Sequence, residues 1–213
     1  MHINRALKAS AALLTAVTLG LTLAACGDDS DHDVASSSSD THTASNGDVF
    51  NGVDVEFATA MIPHHAQAVQ MANMTQGRTL DPAVQQLAEQ IRDAQVPEVE
   101  TMTDWLTAWD KEVPATSIDH VHGDDMSNMP LMDDMEDMPG IMSADEMAAL
   151  MNASDAEFQD MWLEMMTRHH EGAIEMAKTE QQDGMFPDAL TLADSIIGSQ
   201  QAEIDQIKQL LAS

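Results

Sequence analysis

The chain has 213 residues, and its 37 acidic and 8 basic residues give a formal net charge of −29. So many carboxylates repel phosphate groups, which argues against nucleic acid or an anionic bilayer surface as a partner and for cations or basic partners. The only cysteine, Cys26, excludes an intramolecular disulfide and a thiolate metal site.

The N-terminal segment, residues 1–25, has the layout of an export signal. A short basic start precedes an apolar run over 9–23 that is too short and too abruptly ended for a membrane-spanning helix. The letters LAAC at 23–26 resemble the bacterial lipobox, which implies that Cys26 becomes the lipid-bearing first residue after cleavage. We therefore expect an exported lipoprotein, anchored to the cell membrane through Cys26 and facing the extracytoplasmic side. Residues 26–52 are Ser/Asp-rich without hydrophobic periodicity, which predicts a flexible tether.

Two segments of the chain align without a gap when the sequence is shifted by 105 positions. The stretch "MIPHHAQAVQMA" at Met61 then matches "MTRHHEGAIEMA" at Met166. Apolar positions recur at helical spacing in both units, and no run alternates with the period of two that strands show. The pattern predicts two helical hairpins, 53–110 and 154–213, joined by an acidic Met-rich connection over 111–153 that contains a short helix. Two amphipathic hairpins in one chain most simply pack as an all-α four-helix bundle.

Capping residues mark the starts of three helices. Asp54 is predicted to cap the first helix. Ser143 with Glu146 and Ser154 with Glu157 have the spacing of capping boxes before the short helix and the third main helix.

Two adjacent histidines stand on the first helix of each hairpin. Heptad-like spacing points His64 and His169 into the core and leaves His65 and His170 on the adjacent flank. Methionines lie one turn before and two turns after the inward-pointing histidine of each pair. The candidate metal ligands are His64, His65, His169, His170, Met61, Met71, Met166 and Met176.

The types of these side chains favour one class of metal. Imidazole and thioether groups without thiolate favour copper, above all Cu(I), and by the same softness silver. A di-iron site would need a glutamate three residues before a histidine, where this chain has Met61 and Met166, or Ile62 and Thr167. The alternative is that the methionines are flexible core filler and the histidines are buried structural residues.

Polar residues recur on the core stripe of the second helix of each hairpin: Gln95, Glu98, Gln200 and Glu203. Hydrogen bonds to the outer nitrogens of metal-bound histidines would give these side chains partners and would fix the histidine tautomer. They could equally pair with one another or with the backbone near Pro97, and both interpretations stay open.

The connection between the hairpins carries methionine at every third position over part of its length. The possible loop metal ligands are His120, His122, Met126, Met129, Met132, Met135 and Met138. Prolines, Gly140 and paired acids prevent a buried helical face there, so the clustered thioethers indicate capture of Cu(I), with the histidines and aspartates suited to Cu(II). The alternative is a flexible linker in which methionine is incidental.

Four stretches carry a family resemblance: "FATAMIPHHAQAVQMANM", "MPGIMSADEMAALM", "MWLEMMTRHHEGAIEMAK" and "SQQAEIDQIKQLL". They resemble the domain-of-unknown-function family numbered 305, a ferritin-like helical group, from about residue 53 to the end of the chain. The resemblance implies a ferritin-like four-helix bundle, often exported, with some members implicated in copper binding and copper resistance. The motif positions that it carries over are the four histidines and four methionines named above. Arg168 departs from the family pattern, which commonly has an apolar residue or proline before the second pair.

The sequence contains no recognisable catalytic set, since nucleophile–base pairing, a phosphate-binding loop and paired carboxylates in a defined cleft are all missing. We therefore predict a non-enzymatic, lipid-anchored protein that sequesters copper or hands it on outside the cytoplasm, in copper homeostasis or resistance. Its partners would be metal ions, the membrane through the lipid on Cys26, and a copper-handling protein that the sequence does not identify. Two rivals remain: a copper-dependent oxidase that detoxifies Cu(I), and an acidic docking module whose His/Met core is structural.

Overall fold

The computed structural model describes residues 40–116 and 138–212. The predicted signal peptide, Cys26, and the loop residues His120, His122, Met126, Met129, Met132 and Met135 lie outside the described residues. The described chain is helical apart from one pair of two-residue strands, in agreement with the all-α prediction. Its elements are β1 (His42–Thr43), β2 (Val49–Phe50), α1 (Gly52–Asn73), α2 (Pro82–Ala108), α3 (Ala144–Asn152), α4 (Asp155–Asp183) and α5 (Pro187–Leu211).

The four long helices pack in two pairs. α1 packs along α2 and α4 packs along α5, and the pairs meet mainly through α1 and α4, with a smaller contact between α2 and α5. The short α3 lies against α4. This arrangement brings the two His-His motifs, on α1 and α4, to the same interface. Among the described helices, none is long and apolar enough to cross a membrane.

The start of α1 differs from the prediction in which residue caps the helix. The cap is Asn51, whose side-chain oxygen accepts from the backbone nitrogens of Val53 at 2.8 Å and Asp54 at 3.1 Å. Asp54 lies three residues further on and accepts from the Asn51 backbone nitrogen at 2.6 Å, which completes a capping box. Asn and Asp are both favoured as helix caps, so the residue types alone do not show which of Asn51 and Asp54 caps the helix. The boxes predicted before α3 and α4 are found.

The hairpins hold each other through equivalent positions. Asp54 on α1 accepts from the backbone nitrogens of Met185 and Phe186, both at 2.9 Å, in the connection that precedes α5. Gln159 on α4, which is 105 positions after Asp54, accepts from the backbone nitrogen of Asp81 at 2.8 Å, just before α2. The two duplicated hairpins are therefore related by a pseudo-two-fold axis, since equivalent residues make equivalent contacts to the other hairpin.

The end of the predicted tether is packed against the helices. β1 pairs antiparallel with β2, with His42 opposite Phe50. The Phe50 ring is buried and stacks on Trp109 with centroids 4.3 Å apart, and the indole nitrogen of Trp109 donates to Asp48 at 3.1 Å. The polar composition of residues 26–52 does not predict this contact, because it depends on the single aromatic residue Phe50.

A polar layer divides the apolar core into two clusters. Fully buried histidines and glutamines lie in this layer: His64, His65, Gln95, His169, His170 and Gln200. On each long helix, the apolar residues on one side of the layer belong to one cluster and those on the other side belong to the second cluster. The residues of the first cluster that flank the layer are Ala68, Ile91, Met166 and Ile207, and those of the second cluster are Ile62, Met102, Ala173 and Ile196. Buried polar groups cost free energy unless they find partners, so this layer is the place to look for a function.

Candidate metal centre

α1 and α4 bring one histidine of each motif face to face. His64 and His169 are fully buried, with ring centroids 3.9 Å apart and ring planes at 48°. Their meeting follows from the duplicated register, because each residue occupies the same position on helices that pack together. Ring centroids of His169 and His170 are 6.3 Å apart.

The second histidine of each motif is held by a glutamate from the partner helix of the same hairpin. His65 Nε2 lies 2.8 Å from Glu98 on α2, and His170 Nε2 lies 2.6 Å from Glu203 on α5. These histidines are fully buried rather than on an open flank, because the glutamate side chains, 15% and 16% exposed, cover them. The predicted contact between these glutamates and outer histidine nitrogens is thus present, and their role around a metal stays a prediction.

Five ring nitrogens of the four histidines have no hydrogen-bond partner of ordinary geometry among the described residues. They are Nδ1 of His64, His65, His169 and His170, and Nε2 of His169. His64 Nε2 donates to the backbone carbonyl of Pro139 at 3.0 Å. Because a carbonyl only accepts, the neutral His64 ring carries its proton on Nε2 and a free lone pair on Nδ1. A free lone pair on a buried neutral imidazole is a metal-ligand arrangement.

Burial keeps the two facing rings uncharged. It lowers the pKa of His64 to about 3, with the nearby His65 and His170 adding to the effect. Burial also holds the pKa of His169 well below its ordinary value, and His64, His170 and His65 lower it further. Imidazole binds metal only in its neutral form, so these rings are ready to bind across the neutral pH range.

The predicted methionine ligands lie in two different environments. Met61 and Met166, one helical turn before His64 and His169, are fully buried, as is Met71. Met176 is half-buried and lines an open cavity. Within residues 40–116 and 138–212, no three His, Cys, Asp or Glu side chains gather into a ready-made metal site. What the layer offers is imidazole with thioether nearby, and which thioethers act as ligands stays a prediction.

The segment over residues 138–142, which includes Met138 of the loop set, closes over the histidines. Gln67 on α1 binds the Met142 backbone twice, accepting from its nitrogen and donating to its oxygen, both at 2.8 Å. A Cβ at Gly172 on α4 would lie 2.0 Å from the Pro139 oxygen, so only glycine lets this segment approach. This contact was not predicted from the sequence, although the Pro-Gly pair and the glycine after the second His-His motif are its signals.

Arg168 does not enter the layer. Its guanidinium donates to the Met142 sulfur at 2.7 Å and pairs with Glu146 on α3, and its side chain is 50% exposed. The departure from the family pattern at this position therefore places no cation between the facing histidines.

Gln95 and Gln200 lie one turn before Glu98 and Glu203 and are buried. Among the described residues, neither side-chain amide has a hydrogen-bond partner. The four residues predicted to surround the site therefore fall into two groups with different contacts. The glutamates contact histidines, while the glutamines add unpaired polar atoms to the layer.

Comparison with known proteins identifies a family and solved structures of similar fold. Residues 54–211 match the model of a family described as "Domain of unknown function (DUF305)", and no curated protein matches the chain.

A DUF305 protein from Streptomyces coelicolor, named as secreted, is 30% identical, with a TM-score of 0.63 over 75% of this chain and 92% of that one. A DUF305 fragment from Deinococcus radiodurans is 25% identical, with a TM-score of 0.64 over 80% and 99%. CopM in its Cu(II)-bound form is 29% identical, with a TM-score of 0.59 over 75% and 95%, and structures of its Cu(I)-bound and Ag-bound forms also match. Since the family match spans most of the chain, this protein belongs to the DUF305 family.

Proposed function

We propose that this protein is an extracytoplasmic, lipid-anchored metal-binding protein that sequesters copper, as Cu(I) or Cu(II), or hands it on. Silver would bind as a chemical analogue. In this proposal the duplicated hairpins form a ferritin-like four-helix bundle that holds the metal, the Met-rich connection serves as a capture arm, and no catalysis takes place.

One observation carries the proposal: the facing pair of His64 and His169, buried and uncharged, with free ring nitrogens in a polar layer. Leaving such nitrogens unpaired in an apolar core costs free energy, which a bound ion would recover. The carboxylates behind His65 and His170 match the outer partners that orient metal-bound histidines.

The ligand types support copper over other metals. Thioether suits Cu(I) and Ag(I) and is not a usual ligand of zinc or iron, whereas imidazole binds all of these metals. The chain has one cysteine, and its described part gathers no three-residue His/Cys/Asp/Glu site. CopM, a related protein, has been solved with Cu(I), with Cu(II) and with silver bound.

The proposed location rests on the N-terminal sequence and on a relative named as secreted. Replacing Cys26 with Ser would remove the thiol that carries the lipid. The C26S protein should move from the membrane fraction to the soluble exported fraction. Full retention of C26S in the membrane fraction would overturn lipid anchoring without affecting the metal proposal.

Metal competition on the full chain tests the function. The protein is loaded with copper, silver, zinc and iron offered together, and bound metal is measured by mass spectrometry. We expect copper and silver to dominate, and the H64L/H169L variant to lose part of both. H42L is the matched control, because His42 is an exposed histidine outside the layer. Dominance of zinc or iron, or an H64L/H169L variant that binds like H42L, would contradict the proposal.

A further inference from the structure

A cavity of about 410 Å³ opens beside the histidine layer, between α1, α4 and the 138–142 segment. Met138 and Met176 line it, and both are half-buried, unlike Met61 and Met166 in the closed core. Pro139, whose carbonyl accepts from His64, also lines the cavity. Two thioethers therefore face a space that a dissolved ion can reach.

A buried carboxyl group lines the same cavity. Glu180 is fully buried, and no N–H or O–H donor of ordinary geometry among the described residues contacts its oxygens. Its neighbour is Asp54, whose oxygens accept from backbone nitrogens, and burial together with Asp54 raises the pKa of Glu180 to about 8, so Glu180 holds a proton against Asp54 at neutral pH. Glu56 and Asp183 add two more acidic side chains to the lining. A cation in the cavity would take the place of that proton.

The duplicated counterpart of this cavity already contains a cation. In the first hairpin's connection, Arg78 lies 4.0 Å over the Phe158 ring and donates to the carbonyls of Ala153 at 2.9 Å and Met151 at 2.7 Å. A shift of 105 positions replaces Arg78 with Asp183, and the reverse shift replaces Phe158 with Val53. Both of these smaller or acidic residues line the cavity.

The neighbouring lining positions differ less. Met161 and Met165 on α4 correspond to Glu56 and Ala60 on α1; the methionines line a separate cavity of about 260 Å³, and Glu56 and Ala60 line the larger one. The two ends of the pseudo-two-fold therefore differ chiefly where Arg78 and Phe158 are replaced by Asp183 and Val53, which leaves the second end with an acidic lining and no internal guanidinium at this position.

We propose that this cavity is a second site for a soft monovalent cation, Cu(I) or Ag(I), with the thioethers of Met138 and Met176 and the carboxylate of Glu180 as ligands. Thioethers select soft monovalent ions, and Glu180 supplies the charge once the ion has displaced its proton. The identity of the ion rests on the proposed function, whereas the site itself does not depend on the histidine pair. Its place beside Pro139 makes it the solvent-facing neighbour of the buried centre.

Silver titration of the full chain in chloride-free buffer tests this site, with methionine methyl groups labelled with ¹³C. The methyl resonances of Met138 and Met176, assigned from single leucine variants, should shift as Ag(I) is added. M138L/M176L should bind about one equivalent of Ag(I) less than the parent, because two soft ligands are lost. M147L/M151L is the matched control, since it removes two methionines of α3 that do not line the cavity.

A third variant tests the carboxylate. E180Q should weaken Ag(I) binding at the Met138 and Met176 methyls about tenfold, because an amide cannot lose a proton to become an anionic ligand. Equal silver stoichiometry in M138L/M176L and M147L/M151L, with unshifted methyls, would overturn the second site. Failure of the proposed function is separable, because it would appear as unchanged metal binding in H64L/H169L.

Discussion

In the first hairpin, His64 donates to the 138–142 segment, whereas its counterpart His169 makes no hydrogen bond of ordinary geometry. The residues three positions further along show the same contrast. Gln67 binds the backbone of Met142 through its side chain, while Gly172, at the equivalent position, makes room for the segment by having none. Both halves contact one segment through the same helix position, but by opposite means.

What both halves keep is as informative as what differs. Each places a fully buried second histidine against a glutamate 33 residues further on, His65 with Glu98 and His170 with Glu203. Positions inside the layer therefore kept their chemistry after duplication, while positions facing the single 138–142 segment diverged. One segment cannot lie symmetrically on two equivalent halves, so the asymmetry follows from the topology.

The largest expected effect concerns the residues at the centre of the layer. With copper at a hundred- to thousandfold excess over its dissociation constant, the parent should gain roughly 3–4 kcal/mol in free energy of unfolding. H64L/H169L should lose this gain, while its metal-free form stays folded because leucine packs well in the core. Thermal unfolding with and without copper measures both quantities. A variant that keeps the full gain would place the stabilising metal outside the pair and leave the pair structural.

Next in size is the effect of filling the glycine contact. G172A should lower the free energy of unfolding by roughly 1–3 kcal/mol, because its Cβ would lie 2.0 Å from the Pro139 oxygen. G198A is the matched control on α5, where a Cβ meets nothing within 4 Å, and it should stabilise the helix by about 0.5–1 kcal/mol. Urea unfolding compares the two variants. Equal effects would mean that the 138–142 segment does not press on α4.

The loss of stability of the metal-free protein at acid pH should depend on the buried pair His64 and His169. His64 and His169 have lowered pKa values in the fold, so below about pH 6.5 the unfolded chain binds protons that the folded chain refuses. Stability should therefore fall from there toward pH 3, by up to about 1.4 kcal/mol per pH unit for each proton. H64L/H169L should have a flatter acid limb in urea unfolding. An unchanged limb would mean that the rings are accessible to protons.

A decline in stability between weakly acidic and neutral pH should have a different cause. Burial, followed by the neighbouring Asp54, raises the pKa of Glu180 to about 8. The folded chain keeps a proton that the unfolded chain releases above about pH 4.5, so this contribution falls from about pH 4.5 and is lost by about pH 8. In E180Q that decline should disappear, and a decline of the parent's size in E180Q would assign it to another group.

The smallest effect tests the conserved part of the comparison. E98Q and E203Q each replace a charged acceptor with a neutral one, and each should cost about 1 kcal/mol. If the halves are equivalent inside the layer, the two losses should agree within a few tenths of a kcal/mol. A loss confined to one variant would show that the two His–Glu pairs, although equivalent in sequence, contribute differently to the free energy of unfolding.

The sequence was sufficient for features that repeat. The shared register of Met61 and Met166 predicted both hairpins and directed His64 and His169 into the core. The structure brings the two rings face to face, because duplicated helices that pack together bring equal positions into contact. The contacts that it missed join residues with no repeating pattern. Gln67 and Met142 are 75 residues apart, and nothing local in either stretch encodes their two hydrogen bonds.

Two further differences have local causes. The predicted cap at Asp54 was wrong because a capping box offers two suitable residues, and Asn51 takes the cap. The tether prediction averaged over a polar composition and so missed Phe50, whose single ring stacks on Trp109. The cavity beside Glu180 was missed because it depends on residues that are smaller or acidic relative to their duplicated counterparts.

The most direct test of the account asks which nitrogen of His64 binds metal. A silver titration of the full chain, with histidine ring nitrogens labelled with ¹⁵N, reports binding as a shift and as coupling to the silver nucleus. Because Nε2 donates to Pro139 while Nδ1 is free, the account predicts that Ag(I) moves the Nδ1 resonance of His64 and leaves its Nε2 protonated. An unmoved Nδ1 at saturating silver, with the protein otherwise metal-loaded, would contradict the claim that the buried pair is the metal centre.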